Sequence, residues 1–288
     1  MVDDLVLRLQ SSLTGRDLRL LGWLFDHGVL TTEQITDALF GSERFCQRRL
    51  LTLTRLGALT RFRPQRPDGG SYPYHYLLDQ TGVEIIAAQR GLPAPRRDQA
   101  RTRRRHLTGR ANLAHLLGAN EFFTQLAGYE RTHPGSRLER WWPASRFHDR
   151  SAFFEHGGDP RVMLMDTPRP DGHGIWVQDG ITVPFYLEHD TGSEAIDVLF
   201  DKIARYEALA AVTGRRWSLL LWLPTARREL HLHQRLASER MPRAAMATAA
   251  RDHTTGLGYR PAHAVWWPHR RPGTRLTLPD LHTFVANP

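Results

Sequence analysis

The succession of apolar periods predicts an α/β chain, α+β overall, built as two domains. A small helix-rich domain with one β-hairpin comes first, and a larger α/β domain with a mixed central sheet follows. Three observations carry this. Residues 14–91 run through short amphipathic helices and then two short strands around a Pro/Gly loop. Residues 92–106, LPAPRRDQARTRRRH, hold two prolines and six arginines. Beyond them strands and helices alternate, and the almost wholly apolar run 217–223 reads as a central strand covered on both faces. The implied boundaries are 1–91, a linker over 92–106, and 107–288.

In the first segment, Thr14-Gly15-Arg16-Asp17 leads into Leu18, Leu20, Leu21, Leu24 and Phe25, a helix ended by Asp26-His27-Gly28. Thr31 or Thr32 then caps a short helix over 33–40, Gly41-Ser42 turns the chain, and a third helix covers 43–56 with Phe45, Leu50, Leu53 and Leu56 expected inward. Helix, short turn and helix make a helix-turn-helix pattern. Arg44, Gln47, Arg48, Arg49 and Arg55 lie on or near the outer face of the third helix, and these residue types suit phosphates and guanine edges. Strands over 58–63 and 72–78 flank a loop containing Pro64, Pro67, Asp68, Gly69 and Gly70, a wing whose first strand adds Arg61 and Arg63. Asp79 caps a closing helix over 80–90, stopped by Gly91. The sum resembles a winged helix-turn-helix domain, and double-stranded DNA is the expected partner of those seven polar side chains. Winged helices also bind proteins, so the pattern alone leaves a protein partner open.

The six linker arginines read as an extended, self-repelling connector. A net charge of +9 and a pI near 10.5 point to an anionic partner, although solubility also accounts for a basic balance. No apolar stretch approaches the roughly 18–20 residues of a membrane span, and Met1-Val-Asp-Asp opens acidic, unlike a signal peptide. Cys46 is the sole cysteine, which excludes an internal disulfide and a Cys-based zinc site. A cytoplasmic protein without a membrane partner is the expectation.

In the larger domain a long helix is predicted over 106–131, with Leu113, Leu116, Leu117, Phe122, Phe123 and Leu126 inward and Glu121 an acid that belongs at the surface or beside a carboxylate pocket. A first strand over 138–142 follows. The segment Val183-Pro-Phe-Tyr-Leu187 reads as a buried strand after the turn Gln178-Asp179-Gly180. A helix over 194–211 repeats Ile196, Leu199, Ile203 and Tyr206 at three- and four-residue spacing. The strand over 217–223, a helix over 227–239 and a last strand over 262–267 complete the domain.

Lys202 is the only lysine among 39 Lys+Arg. Lysine offers a compact, strongly hydrated point charge that arginine's planar fork does not reproduce. Upstream stand Asp171, closing the segment before a hairpin, and Glu188 and Asp190, which strand alternation points to one side. Carboxylates gathered in one pocket repel each other unless a cation lies between them, and Mg²⁺ or Mn²⁺ takes such oxygen ligands. Lys202 and Tyr206, at i and i+4, share a helix face. The plainer alternative makes Asp171 part of a Pro-Asp-Gly turn and Glu188 and Asp190 solvated strand acids. His231-Leu-His233 also has the spacing of a nuclease metal motif, but it falls in a helical period, where i and i+2 diverge.

Asp171, then Glu188-x-Asp190, then Lys202-x-x-x-Tyr206 on a helix resembles the site of PD-(D/E)xK nucleases with the lysine moved onto the following helix; Asp190 stands where the usual motif has lysine. This implies a restriction-endonuclease-like α/β domain. Together with the stretch from Arg16-Asp-Leu-Arg-Leu-Leu to Arg48-Arg-Leu, Leu56-Gly-Ala-Leu-Thr-Arg61, Arg169-Pro-Asp-Gly172 and Phe185 to Glu194, the chain resembles the replication-relaxation family, which includes MobC-type relaxases, over roughly residues 14–240. The resemblance implies duplex-DNA binding and nicking or relaxation at a mobilisation or replication origin. Asp171, Glu188 and Asp190 would hold Mg²⁺ or Mn²⁺, Lys202 would orient water or offset charge, and Tyr206 would contact phosphate or brace the lysine. Two alternatives stay open. One is a non-enzymatic DNA-binding regulator or replication accessory with an inactive nuclease-like domain; the other is an adaptor that joins relaxosome or replication proteins.

Overall fold

The computed structural model describes residues 12–66, 68–154, 158–215, 217–237, 245–269, 271 and 273–286. The architecture is mixed α and β, with a three-stranded antiparallel sheet and a six-stranded mixed sheet. The chain divides into two compact units, Met1–Gly128 and Tyr129–Pro288.

The first unit opens with α1 (Gly15–His27). Thr14 accepts from the Asp17 amide while Asp17 accepts from the Thr14 amide, a reciprocal cap that fixes the helix start. Leu20, Leu21 and Leu24 bury one face. After β1 (Leu30–Thr31), α2 (Thr32–Leu39) uses the same device through Thr31 and Gln34. A break at Phe40 to Ser42 leads into α3 (Glu43–Arg55), which buries Cys46, Leu50 and Leu53. Phe45, expected inward, is 63% exposed because Cys46, one residue on, takes the core position. Strands β2 (Leu59–Phe62) and β3 (His75–Leu78) pair antiparallel, and β1 adds to the far side of β3. Asp79 then starts α4 (Gln80–Gln89).

The arginine-rich segment is not an extended connector. Helix α5 (Gln99–Thr108) occupies most of it, with Ala100 and Leu107 buried. Arg103 donates to the Phe25 carbonyl at 2.5 Å and lies over the Phe25 ring, and Arg104 donates to Thr60 Oγ1 at 3.0 Å. Guanidinium groups that find acceptors and a ring on their own unit no longer hold the segment apart. The predicted helix over 106–131 is broken at Gly109 and restarts as α6 (Leu113–Thr132). Its Asn120 donates to the Val29 carbonyl at 2.8 Å, and Gln34 donates to the Leu117 carbonyl at 2.8 Å. The first unit therefore runs to Gly128 rather than stopping near residue 91.

In the second unit β4 (Ser136–Pro143), β5 (Gly172–Gln178) and β6 (Ile181–His189) form an antiparallel meander, with a bulge in β4 between Leu138 and Arg140. Gly174 on β5 leaves room for the Phe185 ring; a Cβ there would sit 2.2 Å from it. Helix α7 (Ile196–Thr213) then carries the chain over to β7 (Ser218–Leu223), which runs parallel to β6. Helix α8 (Ala226–Ala237) leads to β8 (Met246–Ala250), parallel to β7. Helix α9 (Arg251–Gly256) precedes β9 (Trp267–Pro268), and α10 (Leu278–Ala286) lies against β5, β6 and β7.

Alternation sorts β7 as its position requires. Leu219, Leu221 and Leu223 join Tyr186, Leu199, Ile203 and Tyr206 in one core. Trp222, on the opposite face, meets Trp266 at 5.6 Å. The strand expected over 262–267 is reduced to β9, and the neighbour of β7 is the small-residue segment of β8.

Candidate functional site

The antiparallel register of β5 and β6 pairs Gly172 with Leu187, so the next positions outward are Asp171 and Glu188. The Asp171 amide donates to the Leu187 carbonyl at 2.9 Å, and the Asp171 carboxylate accepts from the His189 amide at 2.8 Å. Strand pairing thus places two acids side by side at the end of the hairpin. Glu188 is buried, facing α7. Its Oε1 accepts from the Tyr206 hydroxyl at 2.6 Å, and its Oε2 lies 3.4 Å from Lys202 Nζ. Lys202 also reaches Glu194 at 2.9 Å, and its side chain keeps 30% exposure. One turn of helix brings Lys202 and Tyr206 onto the same carboxylate.

The electrostatics follow from this crowding. Burial, and next the Asp171 charge, push the Glu188 carboxyl up to about 7, against the opposing pull of Lys202 and Tyr206. Burial favours the neutral amine of Lys202, but Glu188, Glu194 and Asp171 outweigh it and raise its pKa. Burial and the Glu188 charge hold the Tyr206 hydroxyl well above its ordinary value, so it stays a donor.

Of the five residues expected at the centre, Asp171, Glu188, Lys202 and Tyr206 come together and Asp190 does not. Alternation holds only inside a strand, and β6 ends at His189. The Asp190 side chain, 2% exposed, turns to form an ion pair with Arg228 on α8 and accepts from the Gly192 amide at 2.8 Å. Of the three carboxylates expected together, Asp171 and Glu188 are adjacent and Asp190 is not. Among the described residues no group of three or more His, Cys, Asp and Glu side chains is arranged to hold a metal ion. Glu121 is exposed and accepts from Gln125 at 3.3 Å. On α8, His231 is exposed while His233 bonds Thr248 at 2.9 Å and stacks on Trp267, so the two histidines diverge.

In the first unit Arg44, Gln47, Arg48, Arg55, Arg61 and Arg63 are exposed. Gln47 donates to Glu43 at 2.7 Å, Arg63 donates to the Tyr72 carbonyl at 2.8 Å, and Arg61 lies over the Tyr74 ring. Arg49 has another task. Its guanidinium grips both oxygens of buried Asp17, at 2.9 and 2.6 Å, tying α3 to α1. Exposed Phe45, with Arg48 over its ring, joins the outer face of α3 in its place. The sequence signal for this exchange was the buried-cysteine register of α3, which rotates Phe45 outward.

Among the described residues no helix is long and apolar enough to cross a membrane. Searches of curated proteins and of solved structures gave no match. The family model described as replication-relaxation matches residues 21–219, which span α2 and α3, the β4–β6 meander, Asp171, Glu188, Lys202 and Tyr206. The chain belongs to the replication-relaxation family.

Proposed function

We propose that this chain docks on duplex DNA through a winged helix-turn-helix surface and carries a nuclease-like centre at Asp171, Glu188 and Lys202 that nicks DNA at an origin. The observation that carries the reading is the meeting of Glu188 with Lys202 at 3.4 Å beside Asp171, an acid–acid–ammonium group assembled from β5, β6 and α7. Exposed Arg44, Arg48, Arg55 and Arg61 supply the cationic surface for phosphates, and Phe45 adds an apolar group suited to a thymine methyl.

The donor set suits a small hard cation. Two carboxylates face one ammonium that Glu194 also shares, so acids outnumber the cation at this centre. Mg²⁺ and Mn²⁺ accept one or two carboxylates and keep their waters, whereas a fully protein-caged ion does not fit once Asp190 is committed to Arg228. Asp171 and Glu188 would hold the ion, which when bound supplies Lewis-acid polarisation of a phosphoryl oxygen. Lys202 would place its ammonium against developing charge on phosphate, and Tyr206 would keep Glu188 aimed by its hydrogen bond.

A supercoiled plasmid bearing the origin of the replicon that encodes the chain tests the reading. Nicking with Mg²⁺ or Mn²⁺ is expected from the wild type and lost in Asp171→Ala, with duplex binding kept. Lys202→Arg keeps the charge and changes only its shape, and it is expected to nick poorly. Nicking that persists in Asp171→Ala overturns the assignment.

One observation favours a second reading, in which this centre is a scaffold and the chain a non-enzymatic DNA-binding replication accessory. Glu188 is only 3% exposed, with both oxygens already engaged by Tyr206 and Lys202. Chelator-insensitive DNA binding with no nicked product would establish that alternative.

A further inference from the structure

A second constellation in the Tyr129–Pro288 unit takes no part in the carboxylate centre. Arg140 and Trp142 on β4, Arg146 and Asp149 beyond its end, and Arg215 and Trp217 ahead of β7 line a cavity of about 400 Å³. This lies within the roughly 300–1,000 Å³ range of small-ligand sites. Arg140 and Arg146 stand over the Trp142 ring at 4.4 and 3.9 Å, and Arg215 stands over Trp217 at 5.1 Å. Among the described residues neither Arg140 nor Arg146 has a carboxylate partner in an ion pair, although Asp149 shares the cavity and caps the Ser151 amide at 2.9 Å. The lining thus brings three guanidinium groups to one carboxylate, a composition that suits an anion.

Its aromatic floor is held in place. Trp217 stacks on buried His173 at 4.6 Å and 16°, and Trp142 lies 5.1 Å from the same ring. His173 in turn bonds the Phe185 carbonyl through Nδ1 at 2.8 Å. Tiers of guanidinium and indole planes match a polymer that offers a phosphate and a flat base together. Only a single strand has unstacked bases that can enter such tiers; in a duplex the base faces are already covered.

We infer that the Arg140–Arg146–Arg215 pocket, with Trp142 and Trp217, binds a phosphate and its neighbouring base of a single DNA strand. The identity of the polymer rests on the DNA reading above, whereas the binding test is independent of cleavage. The position is apt. His173 and Tyr186, the strand residues packed against Trp142 and Trp217, pair across β5 and β6, and Tyr186 is two residues from Glu188 on the same face of β6. Tyr186, beneath Trp217, is thus about 7 Å along β6 from Glu188. A strand seated there is held on the same sheet as that centre.

The test uses the full chain in EDTA, with labelled oligo-dT of about ten nucleotides, an abasic strand of equal length, a duplex and a polyglutamate peptide as probes. Oligo-dT is expected to bind more tightly than the abasic strand and the peptide. Arg140→Ala/Arg146→Ala is expected to weaken oligo-dT binding at least about tenfold and to flatten its salt dependence by about one unit of log–log slope. Duplex binding should be unchanged. Arg146→Lys, which keeps the charge and fold but removes the planar donor fork, should lie between. Unchanged oligo-dT affinity in the double variant overturns the inference, whatever the plasmid assay shows. Equal binding of the abasic strand overturns the base-stacking part, and tighter binding of polyglutamate would make this an acidic-peptide site instead.

Discussion

Tyr206 and Glu188, 18 residues apart, are joined by a 2.6 Å hydrogen bond from the phenol to a carboxylate buried between β6 and α7. The bond has a clear direction. Tyr206 stays protonated well above its ordinary range, so the phenol donates and the ionised Glu188 accepts.

Glu188 gives the protein a pH dependence of stability. Its carboxyl rises from an ordinary 4.5 to about 7 through burial and the Asp171 charge, with Lys202 and Tyr206 opposing. A raised acid binds more protons folded than unfolded, so its contribution is full below 4.5 and is lost as pH rises through 7. In EDTA, the melting temperature of the wild type is expected to fall by several degrees between pH 5 and pH 8. Glu188→Gln should fall less and be the more stable of the two at pH 8. Parallel melting curves for the two proteins would show that Glu188 does not titrate in this window.

Asp190 is paired with Arg228 rather than gathered with Glu188. Arg228→Gln leaves its 2% exposed carboxylate without a cation and is expected to cost about 3–5 kcal/mol in chemical denaturation. Asp190→Asn with Arg228→Gln should recover most of that loss. If the single change costs under about 1 kcal/mol, the pair is not structural.

Arg49 and Arg48 are adjacent and should behave oppositely. Arg49→Ala strips Asp17 of its partner and is expected to destabilise the first unit by on the order of 2 kcal/mol. Arg48→Ala should leave stability within about 0.5 kcal/mol and lower the salt slope of duplex binding by about 1. The reverse pattern would contradict the proposed DNA-facing side of α3.

Much of this was legible in the chain because it is local. The reciprocal caps at Thr14/Asp17 and Thr31/Gln34, the helical period of α7 and the apolar run of β7 are all written within a few residues of where they act. Asp171 and Glu188 could be paired because a hairpin turn sets its own register. Partners far away in sequence were not legible. Nothing near Asp190 announces Arg228, 38 residues on, and nothing near Arg49 announces Asp17. Helix α5 was hidden by its charge, since only Ala100 and Leu107 are buried and its stability comes from Phe25 and Thr60 on other elements. Met246–Ala250, rich in alanine, becomes a strand through pairing with β7 rather than by its own propensity. The tryptophan–arginine pocket draws on residues 140 to 217 and has no linear signature.

Calorimetric titration of Mn²⁺ into the full chain at pH 8 bears most directly on the carboxylate centre. One site is expected, weaker at pH 5 where Glu188 holds its proton, retained in Arg146→Lys, and abolished in both Asp171→Asn and Glu188→Gln. Binding of equal strength in wild type and both variants, or no binding at all, would contradict a cation site between Asp171 and Glu188.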